Sequence, residues 1–278
     1  MRLIIMDLRT PMGILEKAYD DLNIRRTSNA VANMPKWFLP WYELEMDGAN
    51  YLAEGGFGVV YRAKWLDSEV IVKQVKLSSD GSDSWAAQSL SATSAKTPQG
   101  GKQNDIKEIR EMFEHEVDVW FWLSHPHVVR LFGACHAGLL LFACEYASNG
   151  SLDKYLRQPP NEIWQKLYEA ALGIQYLHSR GIIHCDLKCN NIVVGRDNNA
   201  KVTDFRLSSA SIVTGAWHWV APECLEKGPA ELSYASDIYA FGMCIVEALR
   251  IVEATTTKDR MPWGNLDNNM VKYHVTHE

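Results

Sequence analysis

The most informative stretch of the sequence is HCDLKCNN, residues 184–191, because it places three chemically different side chains close together. Asp186 can accept a proton from a hydroxyl group. Lys188, two residues later, can neutralise a transferring phosphoryl group, and Asn191 can ligate a cation. The spacing of these residue types therefore indicates phosphate chemistry on a hydroxyl acceptor.

A second stretch, AEGGFGVV at residues 53–60, combines glycines with a following strand-like segment, VVYRAKW. Glycines allow backbone N–H groups to approach phosphate oxygens without a Cβ in the way. A dinucleotide-binding fold would need a helix after the glycines, so the strand pattern predicts a hairpin lid. Taken alone, the stretch is more typical of a glycine-rich turn without a function.

Lys73 ends the apolar strand segment VIVK, residues 70–73. A lysine in this position can simply extend its ammonium group to solvent. Close to a glycine-rich hairpin it can also clamp a phosphate, and its charge then needs a carboxylate partner. Glu116 in the following helical segment is the candidate, whereas Glu111 and Glu114 fit solvated charges of the same helix.

Secondary-structure patterns divide the chain into a strand-rich first half and a helix-rich second half, which predicts two lobes. Residues 1–48 form an N-terminal extension with a short amphipathic helix at 13–26 and an extended, proline-containing strap. Residues 49–147 alternate in the manner of strands, apart from a helix at about 105–123 and a serine-rich flexible insert at 78–104. Residues 148–278 follow helical periods, and Gly181 suits the end of one helix.

Composition excludes several classes of function. The net charge of −6 argues against nucleic-acid binding, which usually relies on a basic patch. No apolar run is long enough to span a membrane, and the N-terminus lacks the apolar core of a signal peptide. The six cysteines form no CxxC pair, so we expect reduced thiols, no zinc site at Cys185 and Cys189, and a cytoplasmic location.

Six motifs in a fixed order resemble a eukaryotic protein kinase: GGFGVV, VIVK, HCDLKCNN, DFR, APE and DIYAFG. The segments EYASNGSLDKYL and GAWHWVAPECL are most similar to the tyrosine-kinase-like branch, many members of which phosphorylate serine or threonine. The resemblance covers roughly residues 44–275. It implies an α+β, two-lobed protein-kinase fold, with a five-stranded N-lobe that carries one helix and a helical C-lobe.

For the first lobe, the resemblance implies a set of ATP contacts. Lys73 would pair with the α- and β-phosphates and with Glu116. Cys144 would be the gatekeeper residue that precedes the hinge. The remaining contacts would be Gly55 and Gly58 over the phosphates, Val60 on adenine, and Glu145 to Ala147 as the hinge.

For the second lobe, the resemblance implies that Asp186 is the catalytic base, with Lys188 beside it. Asn191 and Asp204 would hold Mg²⁺. Glu223 would belong to the loop that positions the protein substrate, and Asp237 would anchor the backbone of the catalytic loop.

Several positions depart from the family pattern. Arg206 replaces a glycine, which is costly if the backbone there needs a positive φ. Cys185 replaces an arginine that grips a phosphate, so we expect activation without phosphorylation of the following loop. Ile71 replaces an alanine above adenine. Ala53 and Ala216 replace a glycine of the lid and a threonine near the catalytic aspartate.

The motifs predict a serine/threonine kinase that uses ATP and Mg²⁺, because every charged group of the pattern is present. The alternative is a pseudokinase that binds partners, favoured by Arg206, Ile71 and the early end of the C-lobe. From that end we expect an incomplete C-lobe, an uncovered apolar surface on the long helix at 233–254, and self-association or a partner at that surface.

Overall fold

A computed structural model describes residues 34–46, 51–55, 58–75, 102–137, 140–158, 162–205, 217–228, 231–253 and 260–277. The described residues fall into two compact units. The N-lobe contains residues up to 75 together with 102–122 and 131–146, and the C-lobe contains residues 123–130 and those from 147 onward. The predicted helix at 13–26 lies outside the described residues, as does most of the serine-rich insert.

The N-lobe is built on an antiparallel sheet of five strands: β1 (Tyr51–Gly55), β2 (Gly58–Trp65), β3 (Ser68–Gln74), β4 (Leu131–Cys135) and β5 (Leu141–Glu145). Their spatial order is β1-β2-β3-β5-β4. Gly55 pairs with Gly58, so β1 and β2 form a hairpin, and the predicted lid geometry is confirmed. A strand follows the glycines because Val59, Val60 and Tyr61 are residue types that suit a pleated, half-buried segment.

The helix of the N-lobe, α1, runs from Lys102 to Phe121. Its buried side chains Phe113, Val117 and Trp120 follow the helical spacing i, i+4, i+7 that the sequence predicted. The helix begins at Lys102, three residues before the approximate start predicted at residue 105. The first turn contains polar residues without apolar periodicity, and the sequence pattern therefore could not reveal it.

Residues 34–46, which we call the strap, pack against the sheet of the N-lobe. Leu39 donates from its backbone N–H to the carbonyl of Ala134 at 2.8 Å, and Ala134 donates to the carbonyl of Trp37 at 2.9 Å. Leu39 and Leu44 join the apolar cluster formed by Val70 and Val72 of β3. A 3-10 turn at Trp41–Glu43 bends the strap between these contacts.

The C-lobe is helical, with a two-stranded sheet. Its helices are α2 (Leu152–Tyr155), α3 (Ile163–Ser179), α4 (Pro222–Lys227), α5 (Tyr234–Glu253) and α6 (Asn268–His277), and its strands are β6 (Ile192–Val194) and β7 (Ala200–Val202).

Gly181 ends α3 as predicted. Its φ is +78°, and the backbone N–H of Ile182 reaches the carbonyl of Leu177 at 3.0 Å. This closure at a left-handed residue is favoured by glycine, which lacks a Cβ.

A further helix, which the sequence analysis did not predict, follows the long helix α5. The segment after Asp267 forms α6, which buries Val271 completely and packs against α4 and the turn Trp217–Trp219. The sequence did not reveal this helix because its apolar residues are few. On α5, Ile238 remains 57% exposed and Val252 42% exposed, so self-association through this helix stays a prediction.

Candidate active site

The loop that joins α3 to β6 brings the three predicted C-lobe residues together around one carboxylate. Lys188 donates from Nζ to both oxygens of Asp186, at 3.2 and 3.1 Å. Asn191 donates from Nδ2 to the backbone carbonyl of Asp186 at 2.7 Å and to its Oδ2 at 3.0 Å. Asp186 is therefore held in one orientation by an ammonium group and an amide.

Asp237, in the first turn of α5, anchors the beginning of this loop. Its carboxylate accepts the backbone N–H groups of His184 at 2.7 Å and Cys185 at 2.9 Å, which confirms the anchoring role predicted from sequence. His178, at the end of α3, lies 2.8 Å from the same carboxylate. Asp237 is only 1% exposed, and these neighbours provide the partners that a buried carboxylate needs.

The loop between α3 and β6 contains a buried histidine and a residue with a strained backbone. Cys185 has a φ of +64°, in the left-handed region that side chains other than glycine rarely occupy. Complete burial lowers the pKa of His184 from its ordinary value, partly offset by the charges of Asp237 and Asp186. His184 also accepts the backbone N–H of Asp186 at 3.3 Å, so a neutral ring helps to fix the candidate base.

The two predicted metal ligands are connected through the short β6–β7 sheet. Ile192 pairs with Val202, and the N–H of Thr203 reaches the carbonyl of Asn191 at 3.0 Å. Asp204 follows directly, with a φ of +59°. The Nδ2 contacts of Asn191 leave its Oδ1 as the amide atom that can contact a cation. An amide oxygen and a carboxylate are hard ligands that suit Mg²⁺, so these residues fit that ion.

The described residues contain no group of three or more His, Cys, Asp or Glu side chains arranged as a metal site. All six cysteines are free thiols. Burial raises the pKa of Cys189 and of Cys244 well above the ordinary value, with a further contribution from the nearby Glu247 carboxylate. These two thiols are therefore protonated and unreactive near neutral pH.

In the N-lobe, the sheet register places Lys73 directly opposite Val60 on β2 and Phe142 on β5. Residues directly opposite each other point to the same face of a sheet. Phe142 packs against Phe113 of α1, with ring centroids 4.6 Å apart. Lys73 therefore lies on the sheet face that α1 covers, and Glu116 follows Phe113 by one helical turn.

The exposure of the three glutamates on α1 agrees only in part with the sequence expectation, because Glu114 was expected to be solvated. Glu111 is exposed, whereas Glu116 is half-buried and directly precedes the buried Val117. Glu114 is also half-buried. The position of Glu116 at the border of the buried stripe is compatible with its predicted pairing to Lys73, and that pairing stays a prediction.

The remaining predicted nucleotide contacts lie where the strands end. Gly55 and Gly58 form the last pair of the β1–β2 hairpin, and Gly58 has a φ of +128° that favours glycine. Glu145 is the last residue of β5 and Ala147 follows two positions later. Ile71 lies opposite Cys144, two residues from Lys73 along β3, so it shares the face of Lys73. Arg206 and Ala216 lie outside the described residues.

Sequence reasoning missed Glu247 and Trp219. Glu247, on α5, accepts the backbone N–H of Cys189 and the indole N–H of Trp219, each at 2.9 Å and both on Oε2. Burial raises its pKa, which these hydrogen bonds partly offset. The sequence signal that could have identified Glu247 is that it is the single acidic residue of the apolar segment MCIVEAL, because a buried carboxylate needs polar partners.

The family model for protein tyrosine and serine/threonine kinases matches residues 46–277. The chain belongs to the protein kinase family. This match also confirms the fold predicted from the motifs, which is a five-stranded N-lobe with one helix and a helical C-lobe. None of the described helices of this kinase domain is both long and apolar enough to cross a membrane.

Curated relatives are plant and Dictyostelium proteins. The chain is 30% identical over 223 residues to the PR5-like receptor kinase of Arabidopsis thaliana, covering 72% of this chain and 29% of that protein. It is 29% identical over 247 residues to the serine/threonine-protein kinase CTR1 of the same plant, covering 82% of this chain and 26% of CTR1. The similarity to CTR1 agrees with the tyrosine-kinase-like branch.

A probable serine/threonine-protein kinase of Dictyostelium discoideum is 28% identical over 273 residues, which cover 91% of this chain and 26% of that protein. The chain therefore spans less than a third of the length of these relatives.

Proposed function

We propose that this chain is an active protein kinase that transfers the γ-phosphoryl group of ATP to serine or threonine hydroxyls of a protein substrate. The observation that carries this proposal is the arrangement of Asp186, held by Lys188 and Asn191. Relatives named as serine/threonine-protein kinases support the choice of acceptor.

In this mechanism the substrate hydroxyl oxygen attacks the γ-phosphorus while the bond from that phosphorus to the β–γ bridging oxygen breaks, and ADP leaves. Asp186 orients the hydroxyl and accepts its proton. Lys188 stabilises the charge on the transferred group. Lys73 contacts the α- and β-phosphates, and its own orientation is maintained by Glu116. Charges that are positioned before the reaction account for most of such a rate enhancement.

Asn191 and Asp204 would hold Mg²⁺, which supplies charge neutralisation at the phosphate oxygens when bound. Gly55 and Gly58 would present backbone N–H groups to the phosphates. Val60 would pack on adenine, and the hinge segment from Glu145 to Ala147 would hydrogen-bond its edge. These assignments rest on the family resemblance and on the positions of the residues at strand ends.

The decisive test is a phosphotransfer assay with radiolabelled ATP, Mg²⁺ and dephosphorylated casein as acceptor. We expect Asp186→Asn to lower the rate by about 100- to 10,000-fold. The matched control is Asp67→Asn, an exposed residue in the β2–β3 turn whose φ of +61° suits asparagine. A control variant at full rate beside an inactive Asp186→Asn would support the proposal, and equal rates for all three proteins would refute it.

The second candidate function is that of a pseudokinase that binds partners, with or without nucleotide. Ile71 favours it, because this side chain shares the sheet face of Lys73 and occupies the position where the family carries alanine. ATP binding by calorimetry distinguishes the candidates. Binding without any transfer to casein or to the chain itself would favour the pseudokinase.

A cytoplasmic location is part of the proposal, supported by six free cysteines of which five are buried. Fractionation of cells that produce the tagged chain would test it.

A further inference from the structure

We infer that Glu247 is a positioning residue for phosphoryl transfer: its carboxylate fixes the C-terminal end of the catalytic loop and ties it to Trp219 beside the candidate base. This inference rests on the proposed function for its kinetic consequences. Glu247 touches neither Asp186 nor Asn191 and acts through the loop backbone.

The first observation is that α5 holds the catalytic loop at two points. Asp237 accepts the backbone N–H groups at the start of the loop, and Glu247 accepts that of Cys189 near its end. The two carboxylates are ten residues apart on one helix, which corresponds to about 15 Å along its axis. Asp186 and Lys188 lie between the two anchored points of the chain.

The second observation is that one oxygen of Glu247 serves two segments. Oε2 accepts the N–H of Cys189 and the indole Nε1–H of Trp219, each at 2.9 Å. Trp219 lies in the turn Trp217–Trp219 and lines a cavity together with Asp186 and Leu187. The shared oxygen therefore sets the distance between the loop that carries Lys188 and the cavity wall next to the candidate base.

The third observation concerns the cost of this arrangement. Glu247 is 8% exposed, and the described part of the chain places no cation against it. Burying a carboxylate without a counterion costs folding free energy unless hydrogen bonds compensate for its lost hydration. An apolar side chain would suit the apolar stretch of α5 better. The two N–H donors explain why a carboxylate is tolerated there.

The test compares Glu247→Gln, Glu247→Met and a control, Ile251→Ala. Glutamine keeps a carbonyl oxygen that can accept both N–H groups, whereas methionine fills the space without an acceptor. Ile251 is 4% exposed on the same helix one turn later, so its truncation destabilises the helix packing without removing a hydrogen bond of the loop. Amide hydrogen exchange of residues 184–191 and casein phosphorylation are measured for each, well below the melting temperature.

We expect Glu247→Met to raise the exchange rate of the Cys189 amide by about 10-fold or more, because that N–H loses its acceptor. The kcat for casein should fall by about 10- to 100-fold, with a smaller change in the KM for ATP, because the displaced group is in the loop. Glu247→Gln should stay within about 3-fold of the wild type on both measures. Ile251→Ala should lower the melting temperature and leave kcat and loop exchange unchanged.

A double-mutant cycle isolates the shared oxygen. Trp219→Phe removes the indole donor and keeps a ring against the cavity, and its effect on the kcat for casein should be less than additive with that of Glu247→Met. Additive effects, or the same loss of kcat in Ile251→Ala, would overturn the inference, as would unchanged loop exchange in Glu247→Met. If the wild-type chain transfers no phosphate, the proposed function fails, and the exchange data still decide whether Glu247 positions the loop.

Discussion

Among single residues, two of the five described non-glycine residues with positive φ lie at the groups to which we assign the chemistry. The described residues other than glycine with positive φ are Leu66, Asp67, Cys185, Asn198 and Asp204. Three of them lie in turns. Cys185 precedes the candidate base, and Asp204 is the candidate metal ligand. A strained conformation persists only where its surroundings enforce it, here through the hydrogen bonds from Cys185 to Asp237.

Lys73→Met should lower phosphoryl transfer by about 100- to 1,000-fold, the cost of losing one positioned electrostatic group. The KM for ATP should rise with it. Methionine preserves the length and packing of the side chain on the sheet face shared with Val60 and Phe142, so the fold should persist. Lys64→Met, at an exposed position of β2, is the matched control and should keep its activity. An active Lys73→Met enzyme would remove Lys73 from the proposed mechanism.

At the level of secondary-structure elements, the strap contacts both the sheet and the helix of the N-lobe. Trp37 is 3% exposed and donates its indole N–H to Asp118 of α1. Asp118 lies two residues after Glu116 on the same helix. The strap can serve as a packing element or as a regulatory clamp of the N-lobe, and its contact with α1 is compatible with both roles.

Gly133→Ala should displace the strap. A Cβ at this position of β4 would lie 2.8 Å from the Cβ of Leu39 and 2.8 Å from the carbonyl oxygen of Trp37. We expect a loss of about 1–3 kcal/mol in the free energy of unfolding, the usual cost of overpacking. The control, Gly242→Ala, adds a Cβ that meets nothing within 4 Å inside α5, and should raise stability by up to about 1 kcal/mol. Thermal unfolding followed by circular dichroism would show a lower midpoint for the first variant and an equal or higher one for the second.

Three histidines of the C-lobe make stability depend on pH: His184 and His218 are buried, and His125 is half-buried. Burial lowers the pKa values of His125, His184 and His218, with a contribution from His127 in the first case. A histidine whose folded-state pKa lies below its unfolded value of about 6.5 takes up a proton more readily after unfolding. Its contribution to stability is therefore present above about pH 6.5 and is lost as the pH falls.

We expect the midpoint temperature of thermal unfolding to decrease as the pH is lowered from 7 to 5.5. The fully buried His184 contributes at most about 1.4 kcal/mol per pH unit in that range. The raised pKa of Glu247 acts in the opposite direction, because it favours the folded state as the pH falls. His184→Asn should flatten the pH dependence, whereas His277→Asn, at an exposed position, should not change it. An identical pH dependence in His184→Asn and in the wild type would contradict this account.

The sequence by itself determined the features that depend on neighbouring residues. The glycines and alternating residues of 53–65 specify a hairpin, and Gly181 specifies the end of α3, because turn chemistry and side-chain period act over a few positions. The spacing of Asp186, Lys188 and Asn191 within one loop was sufficient to suggest their chemistry. The family motifs added Asp237 as the anchor of that loop.

Only the tertiary structure decided the contacts between distant segments. The hydrogen bond from Cys189 to Glu247 joins residues 58 positions apart, and that from Trp37 to Asp118 joins residues 81 positions apart. No local pattern encodes such partners, because they depend on how finished helices and strands pack. The same reason explains why α6 escaped the sequence analysis: its few apolar residues, such as Val271, are buried by elements that lie elsewhere in the chain.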